Sequence, residues 1–283
     1  MSRDGWTSIA LFCSICFLMF FNSFTDTTDS ALSALVRPGA DHFAVPNDYL
    51  SGSPITRKDG SSYDNIGALY IIPIDKRLVP ENLAKELSQR KQGHVVPLGY
   101  RGIGTINMSA PSTSRTHFLV NDYLEGFEPY PVKNIMEPLY VISQRKQYQL
   151  DARQYSGRQE VWQTSREAYR FSRGDCEDHA LLLADWLIAM GEDARVVLGE
   201  YRGGGHAWVV LLRDGKEYLL EATKKKGLSR SKPYPLATLH KDYQPVYMFN
   251  RSEFWENIGS KYTRSYQGDH WQKQSQYDVP TLL

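Results

Sequence analysis

The segment GDCEDHALLLADWLIAMG, residues 174–191, predicts a helix with a defined start and a defined end. Asp175 follows a glycine and lies three residues before a second aspartate, which is the spacing of an N-cap with an acidic residue in the first turn. Apolar residues then recur at helical spacing: Ala180, Leu181, Ala184, Leu187 and Ile188. Gly191 is a typical helix stop. We therefore expect a helix from Cys176 to about Met190, with the cysteine at its first position.

Cys176 is the one cysteine outside an apolar run near the amino end, so the rest of the chain offers it no disulfide partner. At a helix start, unpaired backbone N–H groups and the positive end of the helix dipole favour the thiolate, which is the nucleophilic form of cysteine. The neighbouring carboxylates of Asp175, Glu177 and Asp178 oppose this effect. We therefore expect a cationic histidine to hold the thiolate at neutral pH.

Three β-branched, apolar-rich runs follow the helix, at residues 195–201, 206–213 and 216–221. Asp214-Gly215 joins the second run to the third and is the strongest short signal for a two-residue type I′ turn. The sequence therefore predicts three consecutive strands, the last two of which form a hairpin.

The hairpin register brings His206 and Glu221 together. If Arg213 pairs with Lys216, the numbers of opposed residues sum to 429, and His206 and Glu221 become diagonal neighbours. Side chains alternate along a strand, so both point to one face, with their backbones roughly 7–8 Å apart. The spacing thus predicts a histidine–glutamate pair, which a slip of one residue would place on opposite faces.

In the order cysteine, histidine, carboxylate, these segments resemble the transglutaminase-like superfamily, in particular bacterial transglutaminase-like cysteine peptidases. The resemblance rests on the helix segment quoted above, on GHAWVVLL (residues 205–212) and on YLLEAT (residues 218–223), and it covers roughly a third of the chain. It implies an α+β fold of the papain/transglutaminase type, in which the cysteine-bearing helix packs against an antiparallel sheet.

The resemblance also implies roles for individual residues. Cys176 corresponds to the nucleophile, His206 to the general base and acid, and Glu221 to the carboxylate that orients the histidine. The third member is more often aspartate in this superfamily, and glutamate reaches further by one methylene. Gln163 lies where relatives often carry cleft residues, which makes it the candidate oxyanion donor. Such enzymes transfer or hydrolyse amides through a thioester.

Two metal sites are compatible with the motif. Hard oxygen ligands cluster at Asp175, Glu177 and Asp178, and some bacterial relatives that the sequence resembles use calcium near the nucleophile. Helix capping explains two of these carboxylates more simply, so no cofactor is required. The chemical rival is zinc bound by three residues: Cys176, His179 and His206. Zinc sites usually show two close ligand pairs, which this chain lacks, and we expect a structural role for His179.

An apolar run begins at Trp6 and ends at Phe24, and it is long enough to span a bilayer of roughly 30 Å. Arg3 precedes it, whereas Asp26 and Asp29 follow, a pattern that favours a cytoplasmic amino end. We therefore expect a single-pass anchor in the inner or cytoplasmic membrane, with the catalytic domain outside the cytoplasm, in the periplasm. A cleaved signal peptide is the alternative, although no Ala-x-Ala site follows the run.

The chain divides into five predicted parts: an anchor at 1–25, a linker at 26–62, an accessory lobe at 63–130, the catalytic domain at 131–250 and a polar tail at 251–283. The accessory lobe is either a pro-like or substrate-recognition unit or simply additional core. Within these parts we expect a strand at 68–74, helices at 80–90, 134–149 and 165–171, and an edge strand at 243–249. Pro245 motivates the edge position, and a Thr164-x-x-Glu167 capping box starts the helix at 165.

The charge balance argues against a nucleic-acid binder, because the net charge is +1 in a chain of 283 residues of which 23% are charged. A protein or peptide substrate is what the resemblance implies. A basic run follows Glu221 and is either a solvated loop or a cleft edge that attracts acidic substrate: Lys224, Lys225, Lys226, Arg230 and Lys232. The predicted function is a membrane-anchored thiol hydrolase that cleaves peptide amides. The alternatives are an amide-transferring, cross-linking enzyme and a catalytically silent module that binds an envelope or cell-surface partner.

Overall fold

The computed structural model describes residues 70–73, 95–100 and 104–278. The predicted anchor at 6–24, the linker at 26–62 and the helix at 80–90 lie outside these ranges. No helix within the described part of the chain is long and apolar enough to cross a bilayer.

The described elements alternate between strands and short helices. The strands are β1 (Tyr70–Pro73), β2 (Val96–Tyr100), β3 (Gly104–Pro111), β4 (His117–Leu119), β5 (Gln147–Tyr148), β6 (Arg173–Gly174), β7 (Asp193–Tyr201), β8 (Gly204–Arg213), β9 (Lys216–Leu220), β10 (Tyr243–Phe249), β11 (Glu253–Asn257) and β12 (Trp271–Asp278). The α-helices are α1 (Glu137–Arg145), α2 (Asp151–Gln154), α3 (Ser165–Arg170) and α4 (Cys176–Ala189). Two 3-10 helices span Val120–Tyr123 and Ala237–Leu239.

Seven strands form the main sheet in the order β1-β12-β11-β10-β7-β8-β9. Every described pair in this sheet is antiparallel except β1 with β12. The hairpin prediction is confirmed: Arg213 lies opposite Lys216, and Asp214 and Gly215 have φ values of 52° and 68°, which a type I′ turn requires. The register on which the histidine–glutamate pair depends is therefore the expected one.

Helix α4 begins at Cys176 and ends at Ala189, with Gly191 beyond it at a φ of 87°. It packs on one face of the sheet, and its side chains share a core with alternate residues of β7 and β8, including Val196 and Val209. A second core covers the opposite face of the sheet. The fold is thus mixed α and β, with the cysteine-bearing helix on an antiparallel sheet as expected.

The segment predicted as a polar tail, residues 251–283, instead supplies two strands of the main sheet, and this prediction is wrong. Neighbouring residues Phe254 and Trp255 enter the two opposite cores, as the two-residue period of a strand requires. Tyr266 and Trp271 are buried in the second core. Trp255, Tyr266 and Trp271 therefore cover the second face, whereas Tyr262 is exposed.

Strand β10 was expected at an edge because of Pro245, and this prediction is also wrong. The strand lies between β11 and β7. The register with β7 shifts between Pro245 and Tyr247, and such a bulge accommodates a residue that has no N–H to donate.

The described part of the predicted accessory lobe contributes to the core that α4 occupies. Strands β2, β3 and β4 form a small antiparallel sheet, and Met108, Ala110 and Val120 pack in the same cluster as the helix. The structure thus favours the alternative of additional core. The helix predicted at 134–149 is shorter, because it ends at Arg145. The capping box of Thr164 and Glu167 is confirmed at the start of α3.

Candidate active site

Cys176 is the first residue of α4 and is partly exposed. Asp175 occupies the N-cap position, which confirms the prediction, although its side chain makes no capping hydrogen bond to the first turn of α4. The thiol donates to Oε2 of Glu177 over 3.4 Å. The cysteine therefore has the helix-start position that favours a thiolate, with acidic groups beside it.

His206 and Glu221 form a direct pair. Nε2 of His206 lies 2.8 Å from Oε2 of Glu221. A carboxylate can only accept a hydrogen bond, so Nε2 carries the ring proton and Nδ1 is the basic nitrogen of the neutral imidazole. The histidine side chain is only 7% exposed, which shields this hydrogen bond from water.

Both oxygens of Glu221 accept further hydrogen bonds. Oε1 accepts from the backbone N of Thr223 at 2.9 Å and from its Oγ1 at 2.6 Å, and Oε2 also accepts from the hydroxyl of Tyr243 at 2.8 Å. Burial raises the pKa of Glu221, but the positive charge and hydrogen bond of His206 and the Thr223 bonds outweigh it and bring the pKa to about 2. Glu221 is therefore an anion at every pH at which the protein would work.

Cys176 and His206 line the same solvent-open cleft. The cleft lies where α4 begins, beside β7 and β8, and its apolar walls include Trp162, Leu198 and Ala207. The site therefore combines a thiol and a carboxylate-bound imidazole with a mostly apolar surface on which a substrate side chain can pack.

Gln163 does not serve as the predicted oxyanion donor, because its side chain is fully buried and engaged elsewhere. Its Nε2 donates to the hydroxyl of Tyr155 and to the carbonyl of Arg173, each at 3.0 Å, and its Oε1 accepts from Lys146 at 2.9 Å. Its neighbour Trp162 lines the cleft instead, and the local sequence could not show which way the amide points.

Four buried carboxylates meet behind the cysteine: Asp151, Asp175, Glu177 and Asp178. One oxygen from each lies within 4.8 Å of those of the others. The sequence predicted three of them, and Asp151 comes from α2, where no local signal points to the cluster. Asp151, Glu177 and Asp178 each hold one buried oxygen that has no hydrogen-bond partner among the described residues.

Burial and mutual repulsion set the charge of this cluster. Burial raises the pKa of Asp151 and of Asp178 well above the usual value, and it raises that of Glu177 to about 8. Lys146 is a cation built into the cluster's surroundings: it is 2% exposed, and its pKa is lowered by burial but sustained by the carboxylates, Asp178 foremost. No pattern in the sequence pointed to Lys146.

Gly174 allows Lys146 and Asp178 to approach each other. A Cβ at residue 174 would lie 2.3 Å from Oδ2 of Asp178 and 2.7 Å from Nζ of Lys146, so these two atoms are no farther apart than about 5 Å. The glycine in the motif therefore provides the space between the lysine and the acidic cluster.

The residues of this cluster fit calcium. Calcium takes six to eight oxygen ligands, and the unpaired oxygens of Asp151, Glu177 and Asp178 are hard donors that already converge. The simpler explanation of the carboxylates as caps accounts for none of these three oxygens.

His179 has an internal role that excludes it from a zinc site. It is fully buried, its Nδ1 lies 2.5 Å from the carbonyl oxygen of Asp175, and its Nε2 lies 3.0 Å from Nζ of Lys225. Burial lowers the pKa of His179, so the neutral ring donates from Nδ1 and accepts from Lys225 at Nε2. Neither nitrogen is available to a metal. Lys225 of the basic run is a partly buried contact of α4, whereas Lys224, Lys226, Arg230 and Lys232 are exposed.

A family model described as the CEP76 peptidase-like domain matches residues 160–276, which include Cys176, His206 and Glu221. Over 55 residues the chain is 44% identical to the centrosomal protein of 76 kDa from Mus musculus, and it matches the Xenopus tropicalis protein equally. Each match spans 19% of this chain and 8% of the length of the curated relative. These relatives do not support the expected bacterial membership specifically.

Three solved structures with partial likeness come from bacteria. Legionella pneumophila LapG is 21% identical, with 50% of this chain and 74% of LapG covered and a TM-score of 0.36. Calcium-bound LapG gives 22% identity, 50% and 75% coverage, and a TM-score of 0.37. A proposed cysteine protease from Cytophaga hutchinsonii gives 16% identity, 37% and 36% coverage, and a TM-score of 0.28.

Proposed function

We propose that the protein is a thiol hydrolase that cleaves amide bonds in a peptide or protein through Cys176, His206 and Glu221. The observation that carries the proposal is the hydrogen bond from Nε2 of His206 to Glu221 beside a cleft that also holds Cys176. This bond assigns the ring proton to Nε2 and leaves Nδ1 as the base. Supporting it, the matched family model is described as peptidase-like.

In the proposed reaction, Nδ1 of His206 takes the proton of the Cys176 thiol as the sulfur attacks the substrate carbonyl carbon. The C–N bond then breaks, and the leaving amine takes the proton from Nδ1, which leaves a thioester on the sulfur. Water attacks the thioester and gives its proton to Nδ1, the C–S bond breaks, and the sulfur recovers a proton as the acid departs. Since Gln163 points inward, backbone N–H groups of the first turn of α4 act as the oxyanion donors in this proposal.

We propose that calcium binds the acidic cluster through Asp151, Asp175, Glu177 and Asp178. The bound ion would neutralise the cluster's negative charge beside the thiol. This chain's contribution is to hold the four carboxylates together, with α2 supplying one and the first turn of α4 and its N-cap supplying the others.

The sequence further motivates a proposal about location, in which the run from Trp6 to Phe24 anchors the protein and the hydrolase acts outside the cytoplasm. Amino-terminal sequencing of the membrane fraction tests this. An intact amino end in that fraction is expected, whereas a mature chain that starts near residue 25 would identify a cleaved signal instead.

A thiol-reactive electrophile tests the enzymatic proposal directly. Rapid labelling of Cys176 at neutral pH is expected, together with slow labelling in His206→Ala and none at this position in Cys176→Ala. The melting temperature of Cys176→Ala should stay close to that of the wild type, because the thiol is partly exposed. Labelling of the wild type no faster than that of a small-molecule thiol would contradict the proposal.

The second candidate is a peptidase-like module that binds a partner without cutting it. The observation in its favour is that the curated relatives bear the name of a centrosomal protein and the matched domain is described only as peptidase-like. A partner that co-purifies equally with wild type and Cys176→Ala, together with slow thiol labelling, would support this candidate. An amide-transferring enzyme would instead label rapidly and incorporate an added primary amine into a protein substrate.

A further inference from the structure

Tyr243 lies two strands away from His206 in the sheet but reaches the same carboxylate oxygen. It sits at the start of β10, where it pairs with Tyr201 of β7, and β7 in turn pairs with β8. Its hydroxyl lies 2.8 Å from Oε2 of Glu221, the oxygen that accepts from Nε2 of His206 at the same distance. The phenol and the imidazole therefore share one acceptor.

The ring of Tyr243 is fixed in place by aromatic neighbours. Its centroid lies 4.4 Å from that of Tyr201, 5.1 Å from that of Trp208 and 5.7 Å from that of His240, and the residue is 6% exposed. A hydroxyl on such a restrained ring has little freedom to turn away from its acceptor, so it in turn restrains the carboxylate.

The direction of this hydrogen bond is settled by the charges. Burial first, and then the carboxylate of Glu221, raise the pKa of Tyr243, so the phenol keeps its proton and donates. Thr223 donates two hydrogen bonds to Oε1 of Glu221, and Tyr243 and His206 each donate one to Oε2. The described donors thus hold both oxygens in place, with Oε2 towards His206.

We propose that Tyr243 is a positioning residue of the site, which orients Glu221 so that its Oε2 receives Nε2 of His206 and Nδ1 is presented to the thiol. This inference rests on the proposed function and adds to it a fourth residue that does not touch the substrate. A tyrosine that merely filled the second core would need no hydroxyl on the catalytic carboxylate.

Tyr243→Phe tests the inference, because it keeps the ring packing and removes only the hydroxyl. We expect kcat on a peptide substrate to fall about tenfold with KM little changed, since positioning acts on the chemical step. The downfield proton resonance of Nε2–H of His206, assigned through its loss in His206→Asn, should shift in the variant. Tyr201→Phe is the matched control: it removes a neighbouring hydroxyl that makes no described bond to Glu221, and it should leave both the resonance and kcat close to wild type.

Three outcomes separate the possibilities. A lowered melting temperature for Tyr243→Phe with an unchanged resonance and unchanged kcat would overturn the inference and leave Tyr243 as core packing. Equal effects of Tyr243→Phe and Tyr201→Phe would overturn it as well. A wild type without thiol reactivity would reject the proposed function, whereas the resonance shift in Tyr243→Phe would still report the positioning of Glu221.

Discussion

Glu177 and Glu221 are both largely buried close to the proposed active-site pair, yet they have opposite charge states. Glu221 accepts from Thr223, Tyr243 and His206, and its pKa falls to about 2. Glu177 is surrounded by other carboxylates, has one oxygen without a described hydrogen-bond partner, and its pKa rises to about 8. Burial alone therefore does not decide whether a buried glutamate is ionised. The balance between hydrogen-bond donors and neighbouring carboxylates around it decides its charge state.

This difference assigns the two sides of the site different tasks. The donors around Glu221 make it a fixed anion that can orient an imidazole without any cofactor. The acidic side lacks donors, so it needs either protons, the ammonium of Lys146 or a metal ion. At neutral pH without metal, a protonated Glu177 opposes the Cys176 thiolate less than its position in the sequence suggests.

Replacing Lys146 by methionine should have the largest effect on the acidic side. The change removes a buried cation that faces four carboxylates, and we expect a loss of about 3 kcal/mol in the free energy of unfolding without metal. Urea denaturation measures it. Lys133→Met, at an exposed position, is the control and should cost little. A loss for Lys146→Met no greater than that of the control would mean that the lysine does not compensate the cluster.

Glu221→Gln tests the side of the site that carries the orienting carboxylate. The amide keeps the shape of the side chain but loses the charge that favours imidazolium. We therefore expect the activation free energy to rise by about 3 kcal/mol, which lowers kcat roughly a hundredfold. Glu221→Asp should retain part of the activity if the shorter carboxylate still reaches His206. Glu128→Gln serves as the control for removing a glutamate charge. Wild-type activity in Glu221→Gln would show that another group orients the histidine.

Calcium should stabilise the fold through the acidic cluster and not through Glu221. At a concentration about 100 times the dissociation constant, a single site stabilises the fold by about 2.7 kcal/mol, which is measurable as a rise in melting temperature of the purified chain. Asp151→Asn removes a charged ligand and should largely abolish this rise, whereas Glu221→Asn, on the other side, should leave it intact. Equal melting temperatures of the wild type with calcium and with a chelator would show that the cluster does not bind the ion.

The smallest expected effect is on acid stability. Because the folded-state pKa of Glu221 is depressed from 4.5 to about 2, its stabilising contribution is present above pH 4.5 and is lost as the pH falls towards 2. The side chain is 20% exposed, so we expect the contribution to be about 2 kcal/mol. The difference in unfolding free energy between wild type and Glu221→Gln should shrink by that amount from pH 5 to pH 2. A difference that stays constant over this range would contradict the depressed pKa.

The sequence predicted the parts of the site that depend on short-range signals. A glycine, an N-cap residue and helical spacing located the start of α4, and one Asp-Gly turn fixed the register that brings His206 to Glu221. Both are local patterns, because the residues that define them are close together in the chain. Such patterns are informative without any knowledge of the rest of the fold.

The contacts that the sequence missed join segments that are distant in the chain. Asp151 and Lys146 reach the cluster from α2 and from the end of α1, and Tyr243 of β10 reaches Glu221 across β7 and β8. Nothing in the composition around these residues distinguishes them from surface or core residues. The edge position predicted from Pro245 was wrong for a related reason. The bulge that accommodates the proline depends on the pairing of β10 with β7, which the local sequence does not show.

The position of β11 and β12 has a consequence for the order in which the protein matures during synthesis. A nascent chain that has emerged as far as Glu221 already contains Cys176 and His206, but not β10 with Tyr243 and not the strands that cover Trp208. Closing this sheet requires pairings between segments far apart in sequence, and such pairings form late. We therefore expect the thiol to remain unactivated on the ribosome and to become reactive only after residues 271–278 have been added to the sheet.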